Sequence, residues 1–447
     1  MAHFDVLVLG AGIAGLAGAR VLSESGLSLA LLEARDRIGG RIFTSRPAGG
    51  TLPVELGAEF VHGQPREIFE LAQAARLTLY ELTGDVWTSE SGRLSKARSA
   101  DRGMNTILQA ISDWQGEDRS LEAFLAERFA GDRWAAARNQ VRGYIEGFDA
   151  AAPDQVSVRW LKQTEAASAS IGGERQFRIL EGYDRLLWWL RDGLNAERTL
   201  LASGTVVRDI QWERGQVEVT ARAADGGTLS SFTAQAALIT LPQGVLAAPT
   251  DAAGAVRFIP ALPKKQIALK HLAMGPVVKV VFRFREAFWD TGSRGRQRMS
   301  RLSFLFSDNE VMPTWWTSYP LLTPVLTGWT GGPRAANLVS VPDATLAERA
   351  LQALARVLGM QGGYLEAQLD AWQVHNWSAD PYSRGAYSYV CVGGLKAPQV
   401  LSEPVEDTLF FAGEATNDEG HTGTVHGALA TGRRGAEAII AKLRSRT

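Results

Sequence analysis

The sequence predicts a two-domain α/β chain (α+β in overall arrangement): a nucleotide-binding domain assembled from discontinuous pieces, with a second domain of mixed sheet and helices inserted into it. Three observations carry this. The chain opens on an apolar strand, Phe4–Leu9, a glycine-rich turn, Gly10-Ala-Gly-Ile-Ala-Gly15, and a helical pattern. It closes on a similar passage, the strand Thr408–Ala412, Gly413-Glu414 and the helical pattern Val425–Leu443. Helical and mixed segments lie between, with no repeat, low-complexity tract or long linker, and 447 residues suit two or three domains of about 150 each. The boundaries implied are 1–80, 196–260 and 395–447 for the nucleotide domain, and 81–195 with 261–394 for the inserted, substrate-binding domain.

Each element follows from its pattern. Phe4–Leu9 is apolar nearly throughout, as a buried parallel strand requires. The helix Leu16–Ser25 is closed by Gly26, and Leu29–Leu32 is a second strand ending at Glu33, so the first 33 residues form a βαβ unit. Pro65–Leu77 reads as a helix with proline in its first turn. Residues 101–195 are mostly helical by pattern and rich in Ala, Leu, Arg and Trp. Thr205–Thr220 alternates and turns at Arg214-Gly215, a hairpin. Ala236–Leu241 is a buried strand stopped by Pro242, Val277–Phe284 an alternating strand, and Asp343–Leu358 a helix.

Composition narrows the function classes. With 47 basic and 48 acidic side chains the formal charge is −1, which gives no electrostatic footprint for nucleic acid or anionic lipid. A hydrophobic fraction of 45% suits a packed globular chain. The single cysteine, Cys391, excludes an intramolecular disulfide and argues against a cysteine zinc site; no metal site is expected, and a reducing, cytoplasmic location is. No apolar run approaches the roughly 20 residues of a membrane helix. The N-terminus runs straight into a strand, leaving no room for a signal peptide. A large soluble enzyme acting on a small molecule is the expectation, with the oligomeric state open.

Gly10, Gly12 and Gly15 fit the dinucleotide fingerprint of a Rossmann-like FAD/NAD(P)-binding domain. The first glycine permits the tight turn, the second lets a pyrophosphate approach the backbone, and the third lets helix and strand pack closely. The pyrophosphate then meets unpaired N–H groups at the positive end of the helix. Glu33, 18 residues after Gly15, is placed to accept ribose hydroxyls. The fingerprint alone does not separate NAD from FAD. The run Glu33-Ala-Arg35-Asp-Arg-Ile-Gly-Gly40-Arg41 adds a second glycine pair and fixed cations for a diphosphate, a clamp that suits a long extended cofactor.

Five segments together resemble the flavin-containing amine oxidases, the group that includes monoamine oxidases, polyamine oxidases and flavin-dependent histone lysine demethylases. They are Arg37-Ile-Gly-Gly-Arg41, Leu56-Gly-Ala-Glu-Phe-Val-His-Gly63, Gly275-Pro-Val-Val-Lys279, Trp377–Val390, and Phe411-Ala-Gly-Glu414 through Gly423-Thr-Val-His-Gly427. The resemblance covers nearly the whole chain. It implies bound FAD, with Gly57, Ala58, Glu59 and Phe60 lining the flavin and Val207 contacting adenine through its backbone. It implies that Glu414, after Gly413, holds a ribityl hydroxyl. Thr424 and Val425 would present N–H groups to the pyrimidine edge, where the final helix offers partial positive charge to a reduced flavin. Trp377 and Tyr382 match aromatic residues flanking the isoalloxazine, though both also suit an ordinary core. Some monoamine oxidases tether the flavin through a cysteine; the aligned residue here is Ala386, so non-covalent FAD is expected.

On periodicity alone Lys279 is a strand lysine facing water, sharing a face with Val281 and Arg283. The resemblance instead makes it the lysine that reaches a water beside flavin N5. Tyr387 matches one wall of an aromatic cage that holds the amine between ring faces. Monoamine oxidases place a second tyrosine where this chain has Thr424, which leaves the cage open on one side for a longer or secondary amine. His62 either lines the substrate channel or is a loop histidine satisfied by backbone; Glu59 either meets a distant ammonium or faces the cofactor. His421 reads as a loop residue, and Trp188, Trp189, Trp315 and Trp316 as core or pocket, core being favoured. Arg66 falls after His62-Gly63-Gln-Pro65, too late for the arginine that binds a carboxylate in L-amino-acid oxidases.

The expected function is therefore FAD-dependent amine oxidation: hydride transfer from the α-carbon of a polyamine or monoamine to N5, imine hydrolysis to an aldehyde, and reoxidation by O2 with release of hydrogen peroxide. The alternatives are a desaturase or porphyrinogen-type oxidase acting on C–C bonds, against which Lys279 and Tyr387 argue, and a non-catalytic flavoprotein scaffold.

Overall fold

Five parallel strands organise one half of the fold. In the computed structural model, which describes residues 2–48, 52–97, 102–291, 298–309, 311–360 and 362–445, they lie in the order Thr199–Ala202, Leu29–Leu32, Ala2–Leu9, Leu229–Ile239 and Leu409–Phe411. The first and last parts of the chain are thus neighbours in one sheet. Leu229–Ile239 is much longer than the apolar run that announces it, because its first half, Leu-Ser-Ser-Phe-Thr-Ala-Gln, is largely polar. That half pairs antiparallel with Gln216–Ala223, and the last residues pair parallel with Leu409–Phe411, so the sheet branches here. The hairpin Thr205–Glu213 with Gln216–Ala223 forms as expected, turning at Gly215 with φ +83°.

The helix Ile13–Glu24 starts three residues earlier than its apolar pattern suggests. It packs against the terminal helix Val425–Arg444 at a distance only glycine allows. A Cβ on Gly18 would lie 2.9 Å from the Gly432 carbonyl oxygen, and one on Gly432 would lie 2.1 Å from that of Ala14. Both helices share an apolar cluster with Val6, Val8, Leu29 and Leu31.

The helix Asp184–Asp192 joins the same cluster through Leu186, Leu187 and Leu190. The boundary expected at residue 195 places this helix in the substrate domain, whereas its leucine stripe packs on the nucleotide side. Among the other helices of 81–195, Arg102–Ser112, Leu121–Arg128 and Ala135–Phe148 share a second cluster with Leu7, Leu9 and Ile239. Not all of that stretch is helical: Gln176–Ile179 is the middle strand of a small sheet, between Val61–His62 and Leu79–Glu81.

The other large sheet has the order Leu369–Asn376, Val277–Phe284, Val325–Gly331, Thr314–Thr317, Leu302–Ser307, Asp85–Glu90 and Arg93–Lys96. Alternation decides how Val277–Phe284 sits in it. Val278, Val280, Phe282 and Phe284 turn into a core completed by the helix Asp343–Val357, each burial contributing roughly 1.5–3 kcal/mol. Lys279 is on the opposite face, in register with Trp329 on one neighbouring strand and His375 on the other. Among the described residues no helix is long and apolar enough to cross a membrane, and no group of three or more His, Cys, Asp or Glu could hold a metal ion.

Candidate active site

One cavity of about 2550 Å³ runs from the glycine turn of the first sheet to the Lys279 face of the second. That exceeds the roughly 300–1,000 Å³ of an ordinary ligand pocket and leaves room for a long cofactor together with a substrate. Gly10, Gly12, Glu33, Arg35, Gly40, Arg41, Gly57, Ala58, Glu59, Phe60, His62, Val207, Lys279, Trp377, Tyr382, Tyr387, Gly413, Glu414, Thr424 and Val425 all line it. Gly15 does not. A Cβ there would lie 1.9 Å from the Gly10 carbonyl oxygen, so Gly15 serves helix–strand packing and touches no ligand.

At the nucleotide end two glycine loops lie side by side. Gly12 bridges Gly39, and the Gly39 N–H donates to the Ala11 carbonyl at 2.8 Å. A Cβ on Gly12 would meet nothing nearer than 3.9 Å, and one on Gly413, whose φ is +123°, would meet nothing within 4 Å. These are bare backbone surfaces of the kind a diphosphate needs. Gly12 is also the N-cap of Ile13–Glu24, so the helix presents its unpaired N–H groups there. Glu33 is buried and accepts the N–H groups of Ala11 and Arg35 at 2.8 and 3.0 Å. The hairpin register shifts between Val207 and Asp209, releasing backbone from the ladder at the position assigned to adenine.

Arg35, assigned to the cofactor, and Thr424, whose side chain was assigned to the substrate, have those side chains tied within the protein. Arg35 donates to both Asp380 oxygens at 2.7 Å and to Ser383, and lies over the Tyr382 ring, so its guanidinium fixes the 380–383 turn and is not a free clamp. The Thr424 hydroxyl donates to the His421 carbonyl at 2.7 Å and accepts the Gly427 N–H at 3.0 Å, capping the terminal helix. Its oxygen is therefore engaged by the cap and not offered to a substrate. Arg41 and Glu414 form an ion pair of 2.6 Å, and the second Glu414 oxygen accepts from Ser388 and from the Gly423 N–H.

At the other end, Lys279 is almost completely buried. Its Nζ donates to Glu59 Oε2 at 2.6 Å and to the Gly57 carbonyl at 3.2 Å. The second Glu59 oxygen receives the Trp316 indole N–H at 3.0 Å and lies 2.8 Å from Arg178 Nη2, an ion-pair contact without hydrogen-bond alignment. Burial works to raise the Glu59 pKa, but the Lys279 and Arg178 charges outweigh it and hold the carboxyl below its ordinary value. Glu59 thus lines the cavity with a carboxylate that three side chains already engage, and it is not free for a distant ammonium.

Aromatic rings surround this point. Phe60 packs on Trp316 and Phe304 at 5.3 and 5.8 Å, and Trp316 on Trp329 at 6.0 Å. Trp315 is core and Trp188 is on the surface. The Tyr387 hydroxyl donates to the Phe148 carbonyl at 2.6 Å, which fixes its ring as a wall. Trp377 donates its indole N–H to the Leu56 carbonyl and packs with Val277 and Ala386. His62 leaves Nδ1 buried without a partner, and burial pushes its pKa down to about 4, so the ring is neutral. His421 is more than a loop residue: its Nδ1 lies 3.1 Å from Nε2 of His426. Asp149 also lines the cavity. Burial, reinforced by the Glu165 charge, raises its pKa to about 7. Sequence reasoning missed Asp149 and Arg178, which occupy unpatterned positions, gave no role to His426 although it falls in the Gly423–Gly427 motif, and left Trp316 undecided.

A family model described as flavin containing amine oxidoreductase matches residues 13–440. A rice (Oryza sativa subsp. japonica) protein called lysine-specific histone demethylase 1 homolog 2 is 30% identical over 99% of this chain, which spans 58% of that protein. Polyamine oxidase 3 of the same plant is 29% identical over 97% of this chain and 88% of its own length. Among solved structures, putrescine oxidase bound to putrescine superposes with a TM-score of 0.79 at 22% identity, covering 98% of this chain and 99% of that one. Cyclohexylamine oxidase of Brevibacterium oxydans IH-35A gives 0.79 at 21%, covering 99% of each. These likenesses at low identity show a shared fold. With the family match spanning almost the whole molecule and a glycine-lined cavity fitted to a dinucleotide, the chain belongs to the flavin-containing amine oxidoreductases, with FAD as its cofactor.

Proposed function

We propose that this chain oxidises the C–N bond of a small-molecule amine and prefers a polyamine to a monoamine. The observation that carries the reading is that one cavity joins the dinucleotide cradle to the buried Lys279 and the Tyr387, Trp316 and Phe60 rings. Bound FAD would supply the two-electron chemistry, taking hydride from the amine's α-carbon and passing the electrons to O2 as hydrogen peroxide, while the imine hydrolyses to an aldehyde. Gly12, Gly40, Gly413 and Arg41 would hold it. We infer that it is held without a covalent tether, since Ala386 stands at the tethering position and Cys391 bridges Val156 outside the cavity lining.

The protein's own part is binding and orientation. Ring faces hold the amine and exclude water, and the neutral His62 lines the same cavity. No side chain is required as a strong base when the reacting amine enters uncharged, so turnover rises with pH through the substrate's own ionisation.

Asp149 supports the polyamine preference. It lines the cavity beside Tyr387 and near Glu165, which lines it too, and no side-chain hydrogen bond or ion pair of Asp149 is found among the described residues. An ionised Asp149 offers a second ammonium group a partner that a monoamine would leave unpaired. A peroxide-coupled panel of putrescine, spermidine, spermine, benzylamine and L-amino acids tests the proposal. The polyamines give the highest kcat/KM if it is right. A preference for benzylamine overturns the polyamine assignment, and no peroxide from any amine overturns amine oxidation itself.

A further inference from the structure

Lys279, Glu59 and Arg178 form a buried group of two cations and one anion. Arg178 enters it from Gln176–Ile179, the middle strand of the small sheet that also carries His62. Its side chain is 5% exposed as a residue, its Nη1 donates to the Thr317 carbonyl at 2.9 Å, and its guanidinium lies 4.7 Å from the Phe60 ring centre. Among the described residues Nε and Nη2 make no aligned hydrogen bond; Nη2 is in ion-pair contact with Glu59, and the Tyr80 hydroxyl also interacts with the guanidinium. The strand thus delivers a second cation to a carboxylate that Lys279 already pairs. Taking a buried arginine out of water is costly, and the carboxyls that face these two cations are Glu59 and the buried Glu55, which Lys279 also stabilises as an anion.

We propose that Arg178 is a positioning residue acting through Glu59: it holds the carboxylate that fixes Lys279 Nζ, and it adds a second buried cation behind the part of the cavity wall formed by Glu59 and Phe60. The inference rests on the proposed function for the placing of Lys279 beside the reducible ring. A reduced flavin is more negative than an oxidised one, so a fixed positive charge in a water-poor wall favours reduction, and removing it disfavours reduction. Glu59 has the opposite sign. Neutralising it removes a negative charge from beside the two cations and favours reduction. A purely structural role for Arg178 predicts no such reversal.

The test is the flavin midpoint potential of the holoenzyme, read by reductive titration against reference dyes, in the parent and in Arg178→Met, Arg178→Lys and Glu59→Gln. The expected result is a tenfold shift toward the oxidised form in Arg178→Met, about 30 mV for a two-electron couple. Glu59→Gln shifts by a similar factor in the other direction, and Arg178→Lys restores most of the parent value. Equal potentials in all four proteins, or shifts of the same sign in Arg178→Met and Glu59→Gln, overturn the proposal. Where Arg178→Met fails to fold, the Glu59→Gln and Arg178→Lys potentials decide alone: an upward shift with restoration supports the proposal, anything else refutes it. A parent protein that is colourless after reconstitution refutes the cofactor assignment instead, so the two failures are distinct.

Discussion

Lys279 Nζ lies 2.6 Å from Glu59 Oε2, so a strand of the second sheet is tied ionically to the Glu55–Phe60 segment that leads away from the dinucleotide cradle. The lysine is an ion-paired group in a dry wall, not an isolated buried amine. Lys279→Met removes its charge and both donated hydrogen bonds but leaves Glu59 with Arg178 and Trp316, so the segment keeps its place. Turnover should fall about a hundredfold, the lower range for losing a positioned proton-handling group. Flavin content, read from visible absorbance per chain, should stay at the parent level. Loss of flavin together with activity would make the lysine a structural tie.

Gly12 and Gly15 belong to one motif yet do different work. Gly15 meets the Gly10 carbonyl oxygen, where a Cβ would be at 1.9 Å, whereas a Cβ on Gly12 would point into open cavity with its nearest neighbour at 3.9 Å. Gly12→Ala should therefore fold normally and lose FAD by filling the diphosphate cradle. Gly15→Ala should lose thermal stability even without FAD, because helix and strand must separate. Melting of both apoproteins separates the roles, and equal destabilisation by the two variants would contradict the assignment.

The central strands of the first sheet were legible because burial on both faces leaves apolar runs, though its edge strand Thr199–Ala202 was not, and Val277–Phe284 was legible because Lys279 and Arg283 on one face give it an alternation. The neighbours of that strand were not. Leu302–Ser307, Thr314–Thr317 and Val325–Gly331 mix Thr, Trp, Gly and Ser with few aliphatic residues, a composition that carries little period. The motif residues of the site were legible from local spacing. Arg178 and Asp149 were not, since nothing near them in sequence marks a cavity; only tertiary packing sets Arg178 behind Glu59 and brings the helix end at 149 to the cavity wall. The engaged state of Arg35, Glu59 and Thr424 was equally hidden, because each partner is supplied by folding.

Asp149 makes substrate binding depend on pH in a way that monoamines should not share. Its pKa is pushed up to about 7, so below neutrality the carboxyl is uncharged and above it an anion faces the cavity. The KM for a diamine should fall about tenfold between pH 6 and 8, the scale of one charge-assisted contact. Asp149→Asn should flatten that change in KM and leave the rise of kcat with substrate ionisation intact. Benzylamine should show the kcat rise alone, and a diamine KM unaffected by Asp149→Asn would remove the residue from recognition.

Stability toward acid should be governed by buried histidines. His375 lies between Phe43 and Trp377 with Nε2 unpartnered as a hydrogen-bonding atom, and burial lowers its pKa to about 4; His62 falls to about 4 and His426 to about 3 for the same first reason. Each is neutral in the fold at pH values where the unfolded chain, with an ordinary histidine pKa near 6.5, already binds a proton. The unfolded state thus binds more protons between about pH 6.5 and 4, and stability falls as pH drops through that window. Holding one such ring neutral down to about pH 4 corresponds to roughly 3 kcal/mol. Glu55 opposes this: burial raises its pKa to about 7, so in the fold it takes up a proton where the unfolded carboxyl stays ionised, and stability gains as pH falls from about 7 toward 4.5. Asp149, also raised to about 7, opposes the loss in the same window, so three rings, joined by the Glu59 carboxyl held below its ordinary value, stand against two carboxyls and leave a smaller net loss. Denaturant midpoints of the apoprotein at pH 7 and pH 5 should therefore decline with acid. His375→Phe, which keeps an aromatic ring between Phe43 and Trp377 and removes the titrating nitrogen, should shrink the decline measurably; an unchanged pH slope in that variant would assign the acid sensitivity elsewhere.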